Sequence, residues 1–231
     1  MISVIVPLYN EGENLARLIS HLETLEGIGE VVLVDASDIA SSASENKELQ
    51  SGSSSLFHFF KANIPGRGAQ MNQGAKLSQG EILLFLHCDT RLPENAASLI
   101  ENALSSTKKW GRFQVQLDAR GWMFRVIEKM INLRSRIRSL ATGDQAIYLS
   151  RFTFDQINGF PEIPLMEDIE ISRRLTEISL PSLIDEPVLT SARRWQNRGI
   201  TRTVLLMWKL RFLYWVGVSP ERLARMYGDE R

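Results

Sequence analysis

The 231-residue sequence holds a single cysteine and three histidines. One thiol excludes an internal disulfide and fits a reducing compartment. His21 and His58 lack metal-ligand spacing to any partner, so both read as structural. Charge of either sign is not in excess: 27 Lys+Arg stand against 27 Asp+Glu. No global field therefore favours nucleic acid or an acidic partner, although Arg and Lys crowd residues 120–138 and the C-terminal part. Long apolar runs are missing too. The densest, Val204 to Val218, carries Lys209 and Arg211 and is too short to span a bilayer. Met1 to Pro7 has neither a basic region nor a long apolar core, so no signal peptide is expected and a cytoplasmic location follows as the expectation. There is no GxxxxGK[ST] loop, and in Gly66-Arg67-Gly68-Ala69-Gln70-Met71 a methionine stands where the third glycine of GxGxxG would fall. A P-loop NTPase and a dinucleotide oxidoreductase are both poorly supported. No repeat and no linker divides the chain, so a single domain over residues 1–231 is expected.

What is present centres on Gly80 to Arg91. Ile82 to Leu86 are consecutive apolar residues that run into His87 and Asp89, the pattern of a strand buried on both faces of a parallel sheet. Alternation along the strand turns His87 and Asp89 to one side and Cys88 to the other. Polar groups at such a carboxyl edge are where ligands sit in open α/β sheets.

The remaining elements read in order. Ile2 to Pro7 is a strand that Pro7 ends. Asn10 with Glu13 forms a capping box for a helix carrying Leu15, Leu18, Ile19, Leu22 and Leu25. Glu30–Asp35 and Leu56–Phe60 are strands, separated by a serine-rich loop or frayed helix over 37–55. Gly66 opens another helix, and Pro93 starts a helix over Glu94–Ser105. Arg112–Asp118 alternates like a one-sided antiparallel strand. Residues 122–141 form a basic amphipathic helix with Val126, Ile127, Met130 and Ile131 on one face. A strand over Ala146–Leu149 follows, then a helix led by Met166-Glu167-Asp168 and an apolar-basic helical tail.

Asp35, Asp89 and the pair Glu167–Asp168 each stand at an expected loop end, where each alone could simply cap a turn or a helix. Their order is more specific. Val6-Pro7-Leu8-Tyr9-Asn10-Glu11, Val34-Asp35, Arg67 with Asn72-Gln73-Gly74, Gly80-Glu81-Ile82 leading to Asp89, and Met166-Glu167-Asp168 resemble the ordered motifs of family 2 glycosyltransferases. Trp110-Gly111-Arg112-Phe113, Gly143-Asp144-Gln145 and Arg193-Arg194-Trp195 resemble the subgroup called arsenosugar-biosynthesis or radical-SAM/selenodomain-associated glycosyltransferases.

The resemblance implies an α/β GT-A fold, Rossmann-like, with a mostly parallel central sheet flanked by helices. Residues 1–91 would be the nucleotide-sugar-binding half, 92–200 the acceptor and catalytic half, and 201–231 a helical tail. It implies a metal-dependent inverting transferase moving a sugar from a UDP- or GDP-sugar to an acceptor hydroxyl. Pro7, Tyr9, Glu11, Asp35, Arg67, Asp89, Arg193 and Arg194 would hold the donor. Asp89, and His87 if it ligates, would bind Mn²⁺ or Mg²⁺; Asp168 would be the base, with Glu167 supporting it. Gly143, Asp144 and Gln145 would meet the acceptor or the donor sugar. His87 departs from the family pattern by replacing the first acid of DxD, and the full QxxRW tail pattern is absent. Two other readings stand beside this one: a transferase at a membrane surface acting on a lipid phosphate, and a nucleotide-binding module without turnover. A homodimer through surplus apolar surface of the C-terminal helices stays open.

Overall fold

In a computed structural model of the protein the described residues are 1–37, 55–105 and 107–228, without the side chains of Arg194, Asn197 and Arg198. The serine-rich segment thus lies almost wholly outside them. Strands β1 (Ile2–Leu8), β2 (Ile28–Asp35), β3 (Phe57–Lys61) and β4 (Ile82–Phe85) form the parallel half of an eight-stranded sheet. β5 (Thr90–Arg91), β6 (Trp110–Asp118), β7 (Ile147–Ser150) and β8 (Ser182–Ser191) complete it in the order β3-β2-β1-β4-β7-β6-β8-β5. β7 runs antiparallel to both β4 and β6, whereas β6 and β8 are parallel. The expectation of a mostly parallel sheet holds, but β6 has a parallel partner along most of its length.

Successive strand residues face opposite sides, and both sides are covered. Val4 and Val6 pack with Leu15, Leu18, Ile19 and Leu22 of α1 (Glu13–Leu22) and with α3 (Ala96–Ala103). Ile5 turns to the other face, against Met71 and Ala75 of α2 (Arg67–Leu77) and Ile171 and Leu175 of α6 (Glu167–Ile178). Each such buried aliphatic side chain contributes about 2 kcal/mol relative to exposure. This two-sided burial is why β1, β2 and β4 read as unbroken apolar runs.

Local expectations fail where tertiary partners intervene. Asn10 does not cap α1: its φ is 54°, its N–H donates to Ser37 Oγ at 2.7 Å, and the helix begins beyond Gly12 without a side-chain cap. Pro93 does not open α3; it precedes Asn95, the residue before the helix, and accepts from Ala96 N at 3.0 Å. The strand through Ile82 stops at Phe85, and Thr90 N bonds His87 O at 3.1 Å, so residues 87–89 form a turn and not a strand, in which Cys88 is buried with Leu86 and Leu92 while His87 and Asp89 stay half-buried. Pro7 does not end β1, which continues to Leu8 opposite Asp35. In α4 (Trp122–Arg138) only Ile127 of the expected apolar face is fully buried, since Val126 and Met130 are exposed. The tail is three helices: α7 (Arg193–Arg198), α8 (Ile200–Trp215) and α9 (Pro220–Gly228), following α5 (Arg151–Gln156) and α6 in the chain.

Arg151 ties the sheet to α2. Its guanidinium donates to Ala75 O at 2.7 Å, Gly80 O at 2.8 Å and Ser78 O at 2.9 Å, satisfying carbonyls left open at a helix end. Arg151→Ala should lower stability by about 2–3 kcal/mol in urea unfolding, and Arg151→Lys should restore only part, because one ammonium cannot replace the planar fork.

Candidate active site

The crevice exists because β1 outlasts β4. Ile5 O accepts from Leu86 N at 3.0 Å, the last bond between the two strands' lines. Pro7 faces the same side as Ile5 by alternation, where no strand remains to ask for its missing N–H. Leu8 O turns the other way and accepts from Ala36 N at 3.0 Å and Gln70 Nε2 at 2.8 Å. Gln70 also donates to Val34 O at 2.7 Å, so a buried amide on α2 pins the ends of β1 and β2. Beyond these ends opens a cavity of about 880 Å³.

Pro7, Tyr9 and Glu11 line one wall. Asp35 is buried behind it: Oδ1 accepts from Ser37 N at 2.8 Å and Ser37 Oγ at 2.6 Å, and Ala36, not Asp35, reaches the wall. Ser37 in turn holds Asn10, while Lys61 Nζ donates to Ser37 O. The carboxylate thereby organises the loop that forms the wall.

His87, Cys88 and Asp89 lie across the cavity. The imidazole is clamped on two edges. Nδ1 is 3.3 Å from Asp144 Oδ1, and a Cβ added at Gly143 would fall 2.3 Å from His87 Nε2. Only glycine lets this backbone approach the ring so closely. Burial, with Glu11 and Asp89 nearby, pushes the Cys88 thiol well up, so it stays protonated and is not a nucleophile. Ser191 N donates to Asp89 O at 3.2 Å, which brings the end of β8 and then Arg193 to the same wall.

Met166, at φ 73°, turns the chain so that α6 begins with two acids. Glu167 lines the cavity; Asp168, the next residue, is not among the lining side chains but is tied to the wall's Thr142–Asp144 turn, Oδ2 accepting from Gly143 N at 3.2 Å and Oδ1 from Ile169 N at 2.8 Å. Burial, then the neighbouring Asp168 charge, pushes the Glu167 carboxyl up to about 7. Asp168 is raised as well, by burial and, more weakly, Asp144, against the two N–H bonds that favour its charge. The countercharges are Arg67 and Arg134. Protein on most sides of Arg67 works against its charge, yet Glu167 and Asp144 hold its pKa above the usual value, and the side chain still meets the cleft's water. Burial lowers Arg134 despite Asp168 and Asp144.

The structure brings Pro7, Tyr9, Glu11, Arg67, His87, Asp89, Asp144, Glu167 and Arg193 to one cavity, with Gly143 and Asp168 beside it. It leaves Gln145 buried beneath, where Oε1 accepts from Ser135 Oγ at 2.8 Å and from Thr142 N at 3.1 Å, and the Arg194 side chain falls outside the described residues. Arg134, Gln70 and Tyr227 were not anticipated. Arg134 was legible: Ile127, Ile131 and Arg134 follow at spacings of four and three, which places the arginine on the inward face of α4. Among the described residues no three His, Cys, Asp or Glu side chains form a metal cage.

Solved structures with a similar fold include residues 1–349 of S. aureus TarS, with a TM-score of 0.65 at 20% identity over 82% of this chain and 60% of that one. The same protein in complex with UDP-GlcNAc matches equally, at TM-score 0.65 and 20% identity over 82% of this chain and 58% of that one. The mannosyltransferase PcManGT from Pyrobaculum calidifontis, in complex with GDP-Man and Mn²⁺, aligns with TM-score 0.59 at 20% identity, over 82% of this chain and 56% of that one. This chain therefore spans about 60% of the TarS fragment, and at such identity the likeness speaks for the fold: Rossmann-like GT-A. No curated protein sequence matches the chain. A family model described as glycosyl transferase family 2 matches residues 3–154, most of the chain, which therefore belongs to glycosyl transferase family 2.

Proposed function

We propose that the protein transfers a sugar from a nucleoside-diphosphate donor to an acceptor hydroxyl, with inversion, and that residues 1–91 hold the donor while residues 92–200 supply acceptor contacts and the base. The carrying observation is the meeting of Asp89, Arg67, Arg193 and Glu167 on one cavity at the strand ends, with Asp168 next to Glu167 and bonded to Gly143 N. Family membership, and neighbours solved with UDP-GlcNAc and with GDP-Man and Mn²⁺, support a sugar-nucleotide donor. Trp110-Gly111-Arg112-Phe113 and Gly143-Asp144-Gln145 support, in our reading, the radical-SAM/selenodomain-associated subgroup.

Tyr9 and Glu11, on the loop organised by Asp35, would meet the nucleoside, and Arg67 and Arg193 the diphosphate. A divalent cation fits a site of this kind. Mg²⁺ and Mn²⁺ take oxygen ligands from one or two carboxylates plus phosphates, and Asp89 supplies such an oxygen on the wall. His87 is assigned no ligand role, because Asp144 and Gly143 occupy its edges. A bound cation stabilises negative charge on the departing nucleoside diphosphate.

Asp168 accepts the acceptor's proton as the hydroxyl oxygen bonds the anomeric carbon; the bond from that carbon to the phosphate oxygen breaks, and its electron pair leaves with the diphosphate. Gly143 N and Ile169 N fix the carboxylate, and its raised pKa makes it a stronger base. Asp144 faces the acceptor, Gly143 and Gln145 position that turn, and Glu167 neighbours the Arg67 charge.

Three outcomes test this reading. Asp168→Asn should cut nucleoside-diphosphate release from the preferred sugar nucleotide by about 10²–10⁴-fold while donor binding persists; release at the wild-type rate would remove Asp168 from the chemistry. Asp89→Ala should abolish the Mn²⁺-dependent part of UDP or GDP binding in calorimetry without lowering the melting temperature, and unchanged binding would reject its role. Glu167 keeps its proton in the folded chain at pH values where the unfolded chain has lost it, so its stabilising contribution is complete below the ordinary 4.5 and drains away as pH rises through about 7. Glu167→Gln should accordingly leave stability unchanged near about pH 4 and raise it by about 2–3 kcal/mol near about pH 8, read by thermal melts.

A further inference from the structure

Helix α4 buries only a narrow strip, Ile127, Glu128 and Ser135. Its outer side carries Trp122, Val126, Met130, Leu133 and Ile137, all exposed, at spacings of four and three residues. That is a continuous apolar stripe turned to water along the whole helix. Helix α8 repeats the device with Leu205, Trp208, Phe212 and Trp215, the last 79% exposed. The two helices adjoin: Ile127, Phe124 and Ile131 cluster with Trp195 of α7 and Ile200, the first residue of α8. Both stripes also run into the cavity, where Met130 and Trp208 form part of its lining. Apolar surface of this extent marks a binding face.

Charge says what the face meets. The chain as a whole is neutral. Helix α8 has no acidic residue, and the sole acid of α4, Glu128, is buried and taken by Arg125 at 2.9 Å and Leu117 N at 2.6 Å. Exposed Lys129, Arg138 and Lys209 therefore flank the apolar stripes with no acid from either helix on its outer face; Asp185 of β8 is taken by Arg136 at 3.0 Å. A second copy related by a twofold axis would set these cations against their own like. An anionic surface neutralises them instead. Trp122, which opens α4, and Trp215, which closes α8, are exposed and have the amphipathic rings that settle at headgroup depth. Among the described residues no helix is long and apolar enough to cross a membrane, so the geometry is that of helices lying in the interface.

We propose that α4 and α8 dock the protein on an anionic lipid bilayer, with the cavity mouth at the lipid boundary. This surface stands independently of the reaction the cavity performs.

Vesicle flotation of the full chain tests it, comparing phosphatidylcholine alone with mixtures containing roughly 30% phosphatidylglycerol. The protein should float with the anionic vesicles and much less with the neutral ones, and binding should weaken as salt rises. Ile137→Glu with Trp215→Glu should reduce binding by about tenfold or more, and Lys129→Glu with Lys209→Glu should abolish the preference for anionic lipid. Neither pair lines the cavity, and cooperative melting of both variants checks that they fold. Absence of flotation from the wild type would overturn the proposal. So would a dimer, seen by light scattering, that Ile137→Glu with Trp215→Glu dissociates while lipid binding stays nil. Equal flotation with neutral and anionic vesicles would also overturn it, because the charge argument chose the occupant.

Discussion

Everything functional in this chain depends on two neighbouring strands of unequal length. β4 stops at Phe85, whereas β1 continues through Pro7 to Leu8, held only by β2 and by Gln70. The departure of β4 frees residues 87–89 to turn across the sheet's edge, and the proline asks for no partner on the vacated side. A longer β4 would close the crevice with backbone. A polar N–H at residue 7 would be left facing it.

Around this opening the fold gathers acids that would repel one another in isolation. Glu167, Asp168 and Asp144 are close enough for each to feel a neighbour, and burial raises the first two further. Arg67 offsets this by facing Glu167, Asp144 and Asp168 at once. Such a site is poised toward added positive charge, which a cation or an arginine-bound diphosphate assembly alters locally. The His87–Asp144 pair and the Gly143 amide connect the turn after β4 to Asp168 of α6.

The sequence carried the parallel half of the sheet openly. Val31 to Val34 and Leu83 to Leu86 are apolar on every position because neither face sees water. β6 keeps the wet face its alternation suggests, at Gln116 and Asp118, but its main partner is parallel β8 and Arg112 is 1% exposed, a buried cation that no periodicity announces. Asn10 misled because the atom that competes for its backbone lies on Ser37, beyond the reach of a local cap rule. The meeting of Asp89 with Glu167 was legible only through the ordered motifs, since nothing local relates residues so distant. The inward place of Arg134 was legible in the spacing of α4, but what that face meets was not, because amphipathic spacing tells which side chains share a face and not what lies opposite.

The central proposal is that Asp89, Arg67 and Arg193 surround one bound diphosphate and its cation. Paramagnetic broadening of amide signals by Mn²⁺ addresses it directly. With UDP or GDP present, the account predicts that residues 67, 89 and 193 broaden together and that the effect weakens steeply when nucleotide is omitted. Broadening centred elsewhere, or indifferent to the nucleotide, would contradict it.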